Sequence, residues 1–577
     1  FCKIRSHPCI HDIIICMSKQ WIVRKQVSPD LIRHLLFYRG IKTKKEADKF
    51  LNPNYERDMH DPFDILGMED TVKRIFKAIK NNERIVIFGD YDADGVCASA
   101  IFHNFFKKIG FENFHIHIPD RHLDGYGLTS GAIDEFAQQK ANLIITVDCG
   151  ITDFEEVERA NFLKIDVIIT DHHLVPEKLP NALAIVDSKQ KKDKYFFKYL
   201  SGAGVAFKII QALVKKGNFN IIMGWEKWLL DAVAIATIAD MVPLVDENRT
   251  IAYYGLEVLK KTQRPGLIAF YKKFNINPNH ITEDDIAFTI APRINVASRL
   301  AHANTSFSLL TTDSFGESEW ISSHLDSLNN DRKHAVENIL NEVAKVAAGR
   351  KDFFGDIIVV GSEKWHPGVL GIAANRILET YKKPVFMWGR AESNGIKGSC
   401  RSDGSVNLVE LMKKLPKGIF VEHGGHALAG GFSVADSRIN DLEMEIKKAY
   451  KKGKKQKVNN GDIFIDKELS LDDVNWENYK MIDKLRPFGV ENPKPVFLFS
   501  AIKISNVRKF GNGGIHLELA FKKSNGENIS AIGFFASENN LNLKIGQKID
   551  LVASFEKSVF RPSPELRLRI VDIKILN

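Results

Sequence analysis

Between residues 84 and 187 the chain repeats one pattern five times: a short apolar run ending in an aspartate. RIVIFGD stops at Asp90, FHIHIPD at Asp120, NLIITVD at Asp148, DVIITD at Asp171 and LAIVD at Asp187. Helix-compatible segments separate the runs, such as GVCASAIFHNFFKKIG after Asp94 and SGAIDEFAQQKA after Thr129. Uniformly apolar strands alternating with helices predict a parallel sheet covered on both faces. Ligands of such sheets bind beyond the carboxyl ends of the strands. Five carboxylates on that rim repel one another unless a cation neutralises them.

At 577 residues the chain is too long for one core and should divide into three or four domains. Its most apolar stretch, LLDAVAIATIADMVPLV, carries Asp231, Asp240 and Pro243, which suits a buried helix rather than a membrane span. The net charge of +9 favours a polyanionic partner only mildly over this length. Six scattered cysteines make no disulfide framework and point to a reducing cytoplasm. Cys2, Cys9, His11 and Cys16 lack CxxC-type spacing, so a zinc site there is set aside. MSKQWIVRK, from Met17, reads as the natural start, with residues 1–16 an upstream or non-native extension. His7, His11 and Asp12 break any signal-peptide core.

An N-terminal segment over 17–75 is expected to precede the α/β unit of 76–315. Residues 316–350 have helical periodicity and high charge, which predicts a long connecting helix. A second, smaller α/β unit follows over 351–452, with glycine-rich landmarks KGSCRSDGS (397–405) and VEHGGHALAGG (421–431). The basic run KKAYKKGKKQKVNNG, 447–461, marks a boundary. From there to residue 577 about five short strands suggest a barrel of OB type.

GDYDADG, 89–95, sets Asp90, Asp92 and Asp94 at alternating positions just past a strand. An EF-hand shares that spacing, but its twelfth position needs a bidentate Glu, and here Ile101 stands there. Asp148 ends another strand, and Asp171, His172 and His173 end a third. Neutral imidazole with several carboxylates suits Mn²⁺ or Mg²⁺ better than structural zinc. Asp240, an acid in an apolar helix-like segment, needs a cation or strong donors. Asp90, Asp92, Asp94, Asp148, His172 and Asp240 suffice for two metal ions about 4 Å apart, the arrangement of metal-assisted phosphate-ester hydrolysis. Ser399, Arg401 and Ser402, in a turn-like stretch, are candidate phosphate donors. Gly424, Gly425 and His426 resemble a glycine-rich helix start. Arg121, Arg293 and Arg299 are candidate phosphate clamps.

GDYDADG, VDCG, TDHH, IADMVPL with NR at 248–249, APRIN, WHPGVLGIAANRI, GSCRS, GGHALAGG and LRPFGVENPKPVF occur in that order. In this the chain resembles the DHH phosphoesterase superfamily and, within it, the RecJ exonucleases, from about residue 75 to the end. The resemblance implies an α/β protein: a parallel-sheet DHH domain joined by a long helix to a smaller α/β DHHA1 domain, then an OB-fold. It implies 5′→3′ removal of mononucleotides from single-stranded DNA with Mn²⁺ or Mg²⁺, in recombination and repair. A helicase and a single-strand-binding protein would act upstream; monomer is the default state.

By the same resemblance, Asp90, Asp92, Asp94, Asp148, His172, His173 and Asp240 fall on the metal and catalytic motifs. His172 is the expected direct, bridging ligand, Asp171 orients from behind, and His173 faces the scissile phosphate. Ser399 and Arg401 fall on the 5′-phosphate pocket, with Arg121 a companion. In the OB-fold, Arg508, Lys509, Phe510 and Phe521 are expected along the path of the single strand. VDSKQ, where the family carries Asn–Pro, and Ser298, in place of glycine, depart from the pattern. Both are expected to adjoin the cleft rather than the ligands. Two other readings compete: a DHH phosphodiesterase acting on short oligonucleotides or cyclic dinucleotides, and a non-catalytic DNA-binding scaffold.

Overall fold

The computed structural model describes residues 20–349, 355–391, 395–453, 461–511, 514–534, 543–559 and 563–576. Residues 1–16, with the cysteine cluster set aside above, and residues 454–460 of the basic run lie outside these; residues 447–452 of that run are not linker but the end of the helix Ile439–Lys452, whose Ala449 and Tyr450 are buried. The chain divides into two compact units, one carrying residues 59–242 and 251–459, the other residues 16–58, 243–250 and 460–577.

In the first unit, five strands form the parallel sheet: β1 Ile85–Gly89, β2 Phe114–His117, β3 Leu143–Val147, β4 Asp166–Thr170 and β5 Ala184–Val186. Their spatial order is 2-1-3-4-5, all parallel. Every residue of β1 and β3 is buried, which explains why these runs are continuously apolar rather than alternating. From β1 the chain crosses to β2 on one side and later to β3 on the other. The strand order therefore reverses between β1 and β3, where sheets of this order open a ligand crevice. Asp90 and Asp148 directly follow those two strands.

Helix α1 (Ala93–Lys108) leaves β1 through a turn that two glycines permit. A Cβ at Gly89 would come 2.1 Å from the Ser99 hydroxyl, and one at Gly95 2.4 Å from the Asp90 carbonyl oxygen. Helix α2 (Gly202–Lys216) and helix α3 (Leu230–Ala239) follow in the same unit. Leu230 to Ile238 of α3 are all buried, which suits its apolar character on every side but for Asp231 and Thr237, and Asp240 caps its carboxyl end. Helix α4 spans Ala291–Leu300, and the long helix α5 runs from Phe315 to Gly349.

The smaller sheet contains β6 Ile358–Ser362, β7 Val385–Ala391, β8 Gly395–Arg401, β9 Phe420–Gly425 and β10 Ala429–Val434, in the order 9-10-8-7-6. Two expectations are corrected here. GSCRS is the end of strand β8 rather than a turn. HGGHALAGG is the β9–β10 hairpin rather than a helix start, with Gly424 opposite Gly431 and Gly425 opposite Gly430. Gly425 has φ +130, and a Cβ there would lie 2.5 Å from the Ala429 carbonyl oxygen, so the tight antiparallel return itself demands glycine.

The second unit is a closed barrel of β11 Phe497–Phe510, β12 His516–Lys522, β13 Asn528–Gly533, β14 Lys548–Ser558 and β15 Glu565–Ile575. Strands pair in the order 11-12-13-15-14, and β14 returns to β11. This is the five-stranded OB arrangement. Its core includes Phe497, Phe499, Phe521 and Leu551 together with Leu31, Leu35 and Leu36. The N-terminal segment is thus not one piece: residues up to 58 complete the barrel unit, and the next stretch begins the first unit. Arg249, of the NR pair, is structural in the same unit, donating to the carbonyls of Phe50 (3.1 Å) and Leu485 (2.9 Å).

Candidate active site

The five strand-ending aspartates separate by position. Asp120 and Asp187 follow the edge strands β2 and β5 and accept from nearby backbone amides: His122 and Leu123 for the first, Lys189 for the second. They shape loops. Asp90, Asp148 and Asp171 follow the three central strands. Of the five, Asp90 and Asp148 join groups of potential metal donors, Asp171 stands behind the histidines, and Asp120 and Asp187 join none of those groups.

Other elements complete the cluster. Asp92 is the N-cap of α1, where its Oδ1 accepts from the amides of Asp94 (2.8 Å) and Gly95 (3.2 Å). Asp94 points the opposite way, its two oxygens accepting from Gly202 (2.6 Å) and Ala203 (2.7 Å) at the start of α2. A helix amino terminus favours an anion at that point. His172 Nε2 lies 3.1 Å from Asp148 Oδ1 and 3.8 Å from both Asp94 Oδ2 and Asp240 Oδ2. Three groups of potential donor atoms overlap: Asp90, Asp92 and Asp148; Asp94, His172 and Asp240; Asp148, His172 and His173. Asp148 and His172 each belong to two of them.

Asp171 is fully buried and does not join these groups. Its Oδ1 accepts from the amides of His172 and His173 and from the His173 ring at 2.7 Å, and its Oδ2 from the amide of Ile151. The aspartate fixes both histidines from behind, in the manner that carboxylates orient imidazoles beside metals.

Burial, then the mutual repulsion of carboxylates, sets the electrostatics. Asp90 is pushed up to about 8 by burial and by Asp92, and Asp240 to about 7 for the same two reasons. Asp94 and Asp148 are raised well above the carboxylate range. Burial, with His173 and Lys189 nearby, pushes His172 down to about 3, so its ring is neutral. Burial opposes a proton on His173, but the Asp171 carboxylate prevails and raises it to about 9. Among the described residues no donor is aligned to hydrogen-bond the buried Oδ1 of Asp90 or, despite the 3.1 Å approach of His172 Nε2, that of Asp148. Asp148 also holds φ +64, a conformation that side chains other than glycine rarely adopt. Oxygen-rich donors, one neutral imidazole and orphaned carboxylate oxygens fit Mn²⁺ or Mg²⁺.

Beside this cluster stand three guanidiniums with no carboxylate partner among the described residues. Arg121 lies over the Tyr91 ring at 4.8 Å. Arg299 is pushed down to about 10 by burial and by Arg121, with Arg332 and Arg401 adding to it. Arg401 is lowered by burial and by Arg121. The loop of Arg121 is tied to the smaller sheet, since Lys397 Nζ donates to the His122 carbonyl at 2.9 Å, and Arg299 donates to the carbonyl of Gly368 in the helix Pro367–Tyr381. Gly371 makes room for this: a Cβ there would lie 2.8 Å from Arg401 Nη2 and 3.6 Å from Ser399 Oγ. Ser399 and Arg401 share one face of β8.

The remaining candidates are placed elsewhere. Arg293 pairs with Asp326 at 3.1 Å and lies over Phe274, so it is a structural residue of α4. Ser402 is buried, and its hydroxyl donates to the Val406 carbonyl. Gly424 lines a cavity with Arg121 and Ser399, whereas Gly425 and His426 form the exposed hairpin turn. In the barrel, Phe521 is wholly buried and cannot meet a strand. Arg508, exposed, is paired with Glu518; Lys509 is exposed and Phe510 partly so. Phe510 belongs to a ring cluster with His516 and Phe534, which Arg569 covers at 3.9 Å.

Several contributors were not singled out as candidates in the sequence. Gly202 and Ala203 hold Asp94. The Tyr126 hydroxyl donates to the Asp148 carbonyl and lies 3.2 Å from His173 Nδ1. Asn295, in APRIN, accepts from the Ala93 amide at 2.8 Å and so pins the start of α1. Lys189, in the departing VDSKQ, donates to the carbonyl of His172. That departure therefore reaches the backbone of a candidate ligand instead of merely adjoining the cleft. Ser298 is buried and satisfied locally by the Asn295 carbonyl.

Comparison with known proteins agrees with this architecture. Residues 84–237 match the DHH family, N-terminal domain, residues 354–452 the DHHA1 domain, and residues 465–572 the RecJ OB domain. The chain is 33% identical over 542 residues to the single-stranded-DNA-specific exonuclease RecJ of Bacillus subtilis, covering 93% of this chain and 67% of that protein. It is 30% identical to the Haemophilus influenzae RecJ, covering 94% and 95% respectively. The crystal structure of Thermus thermophilus RecJ in complex with Mn²⁺ superposes with a TM-score of 0.78 at 24% identity, over 96% of this chain and 79% of that one. A manganese-bound exonuclease RecJ structure gives 0.60 at 30% identity, over 67% and 95%. The three family models match in order along the chain, and the chain belongs to the RecJ family of DHH proteins.

Proposed function

We propose that this protein is a metal-dependent exonuclease that removes mononucleotides from the 5′ end of single-stranded DNA. The observation carrying this reading is one juxtaposition: His172 Nε2 within 3.8 Å of three aspartates, beside three arginines that pair with no carboxylate among the described residues. Asp90, Asp92, Asp94, Asp148, His172 and Asp240 would hold two Mn²⁺ or Mg²⁺ ions. When bound, these ions supply Lewis-acid activation of water and of the phosphoryl centre. His173, kept protonated by Asp171, offers a cation to a non-bridging phosphate oxygen. Arg121, Arg299, Arg401 and Ser399 hold the terminal 5′-phosphate, which sets the polarity of digestion. Arg569, Phe534, His516 and Phe510 form a stacking platform suited to single-strand bases on the barrel.

A 5′ end exposed by a helicase and handed over by a single-strand-binding protein would be the natural substrate in recombination and repair. We place the protein in the cytoplasm, as a monomer. No helix among the described residues is long and apolar enough to cross a membrane.

The test uses purified protein, Mn²⁺ and a 5′-phosphorylated strand labelled at its 3′ end. Mononucleotides should appear from the 5′ end, with little attack on duplex, and Asp148→Ala and His172→Ala should abolish release. Digestion confined to di- to pentanucleotides would instead assign a small-substrate phosphodiesterase, and binding without hydrolysis a scaffold.

A further inference from the structure

A cavity of about 460 Å³ continues from the arginine cluster along the smaller sheet. That volume is in the range of small-molecule sites and exceeds what one terminal phosphate fills. Arg121, Tyr126 and Ser399 form its near wall; Lys397, Glu422 and His423 lie further along. None of the six candidate metal ligands lines it. It borders the reacting centre at Tyr126, whose hydroxyl lies 3.2 Å from His173 Nδ1, and runs from Arg121 along the smaller sheet.

Strand geometry sets the spacing of its donors. Along β8, Lys397, Ser399 and Arg401 alternate with Ile396, Gly398 and Cys400, and both Ile396 and Cys400 are buried. The three polar side chains thus form a row on the cleft face, in steps of about 7 Å. Across the sheet Ser399 faces Gly431, which in turn faces Gly424. A Cβ at Gly424 would meet nothing within 4 Å, and one at Gly431 only the Gly398 carbonyl at 3.7 Å. The floor beside Ser399 is therefore open backbone. Lys397 pairs with no carboxylate among the described residues, and its one hydrogen bond, to the His122 carbonyl, leaves two ammonium hydrogens to point elsewhere.

We propose that this cavity is a subsite for the distal phosphates of a 5′-di- or triphosphorylated strand, with Lys397 holding the outermost phosphate. A monophosphate on Ser399 and Arg401 does not bridge the step to Lys397, whereas a polyphosphate continuing from it does. The open glycine floor lets the added phosphates lie against the sheet, and Arg121, which lines the same cavity, adds a further cation. The proposal rests on the 5′-exonuclease reading and extends it to strands whose ends carry a polyphosphate, such as newly initiated transcripts and primers.

The experiment compares 3′-fluorescein single strands that differ only in a 5′-hydroxyl, 5′-monophosphate or 5′-triphosphate. Equilibrium binding is measured by fluorescence anisotropy in EDTA, and digestion separately in Mn²⁺. Wild-type protein should bind the triphosphate at least as tightly as the monophosphate and digest both. Lys397→Gln, which keeps a donor for the His122 carbonyl, should weaken triphosphate binding tenfold or more and monophosphate binding less than twofold. Ser433→Leu, which narrows the cavity beside Lys397, should show the same selectivity by bulk. A wild-type preference for monophosphate over triphosphate of a hundredfold, or equal losses for both ends in the two variants, would overturn the proposal. Failure to digest even the monophosphorylated strand would count against the exonuclease reading alone, because the binding comparison needs no turnover.

Discussion

Asp171 and His173 are joined at 2.7 Å through the His173 Nδ1, and the same carboxylate oxygen accepts from the backbone amides of both histidines. One buried side chain thus sets the backbone of the candidate ligand His172 and the ring of its neighbour. Asp171→Asn can keep an acceptor for those three donors but turns an amide N–H toward the Ile151 amide, which now donates to Oδ2. Leaving a buried donor unsatisfied costs about 1–3 kcal/mol. Asp171→Asn should lower the melting temperature and slow single-turnover digestion, whereas His173→Ala should slow digestion with a smaller stability loss. Equal stability in Asp171→Asn and wild type would show that Asp171 does not organise this loop.

Asp153 supplies a pH dependence away from the ligand cluster. Burial raises its carboxyl to about 6, against the hydrogen bond from the Leu128 amide at 2.6 Å. A carboxyl whose folded value lies above its unfolded one holds its proton more tightly in the native state. Stability is therefore greatest below about pH 4 in this term and declines as pH rises to about 6, after which the cost is constant. Asp153→Asn, which keeps an acceptor for Leu128, removes that cost. Measured in EDTA, the variant should gain on wild type between pH 4 and 6 and be more stable at pH 7 by about 1–3 kcal/mol. A difference independent of pH would refute the assignment.

Arg293 and Arg299 lie six residues apart, but only Arg299 joins Arg121 and Arg401. Arg299→Gln should raise KM for a 5′-phosphorylated strand roughly tenfold or more, in line with loss of a charge-assisted phosphate contact. Arg293→Gln breaks a partly buried ion pair with Asp326 and should cost stability of about 1 kcal/mol, leaving KM unchanged. Steady-state kinetics and a thermal melt separate the two. A KM effect of Arg293→Gln would put that residue back in the substrate path.

The central site was legible because its residues sit where local pattern meets topology. An apolar run closed by an aspartate is visible in sequence, and a parallel sheet sends all such ends to one rim. What sequence could not supply was which strands lie at the edge, so Asp120 and Asp187 looked equivalent to Asp90 and Asp148. Glycine-rich segments misled for a related reason. HGGHALAGG satisfies a helix start and a tight hairpin equally well until cross-strand partners are known. Phe521 reads as a surface aromatic beside lysines, yet the barrel's alternation turns it inward. Arg293 and Arg299 differ only in helical phase relative to Asp326, which lies 33 residues away from the first.

Gly202 carries the sharpest steric test of the site. Its amide donates to Asp94 at 2.6 Å, and a Cβ added there would come 2.5 Å from both Cβ and Oδ1 of Asp148. Helix propensity favours Gly202→Ala by about 0.5–1 kcal/mol, since the residue opens α2 in ordinary helical backbone. Packing opposes it, because no real Cβ tolerates a 2.5 Å contact and Asp148 must move. Asp148 is already held in a left-handed conformation by its strand end, so relief by backbone adjustment is costly. The two effects act on different observables. Metal-free Gly202→Ala should melt within a few degrees of wild type. The rise in melting temperature produced by Mn²⁺, which reflects binding to the folded state, should shrink. Digestion should fall a hundredfold or more, since a displacement of about 1 Å at a reacting group costs that much. A variant that retains both the Mn²⁺ shift and full activity would show that the approach of α2 to β3 does not position Asp148.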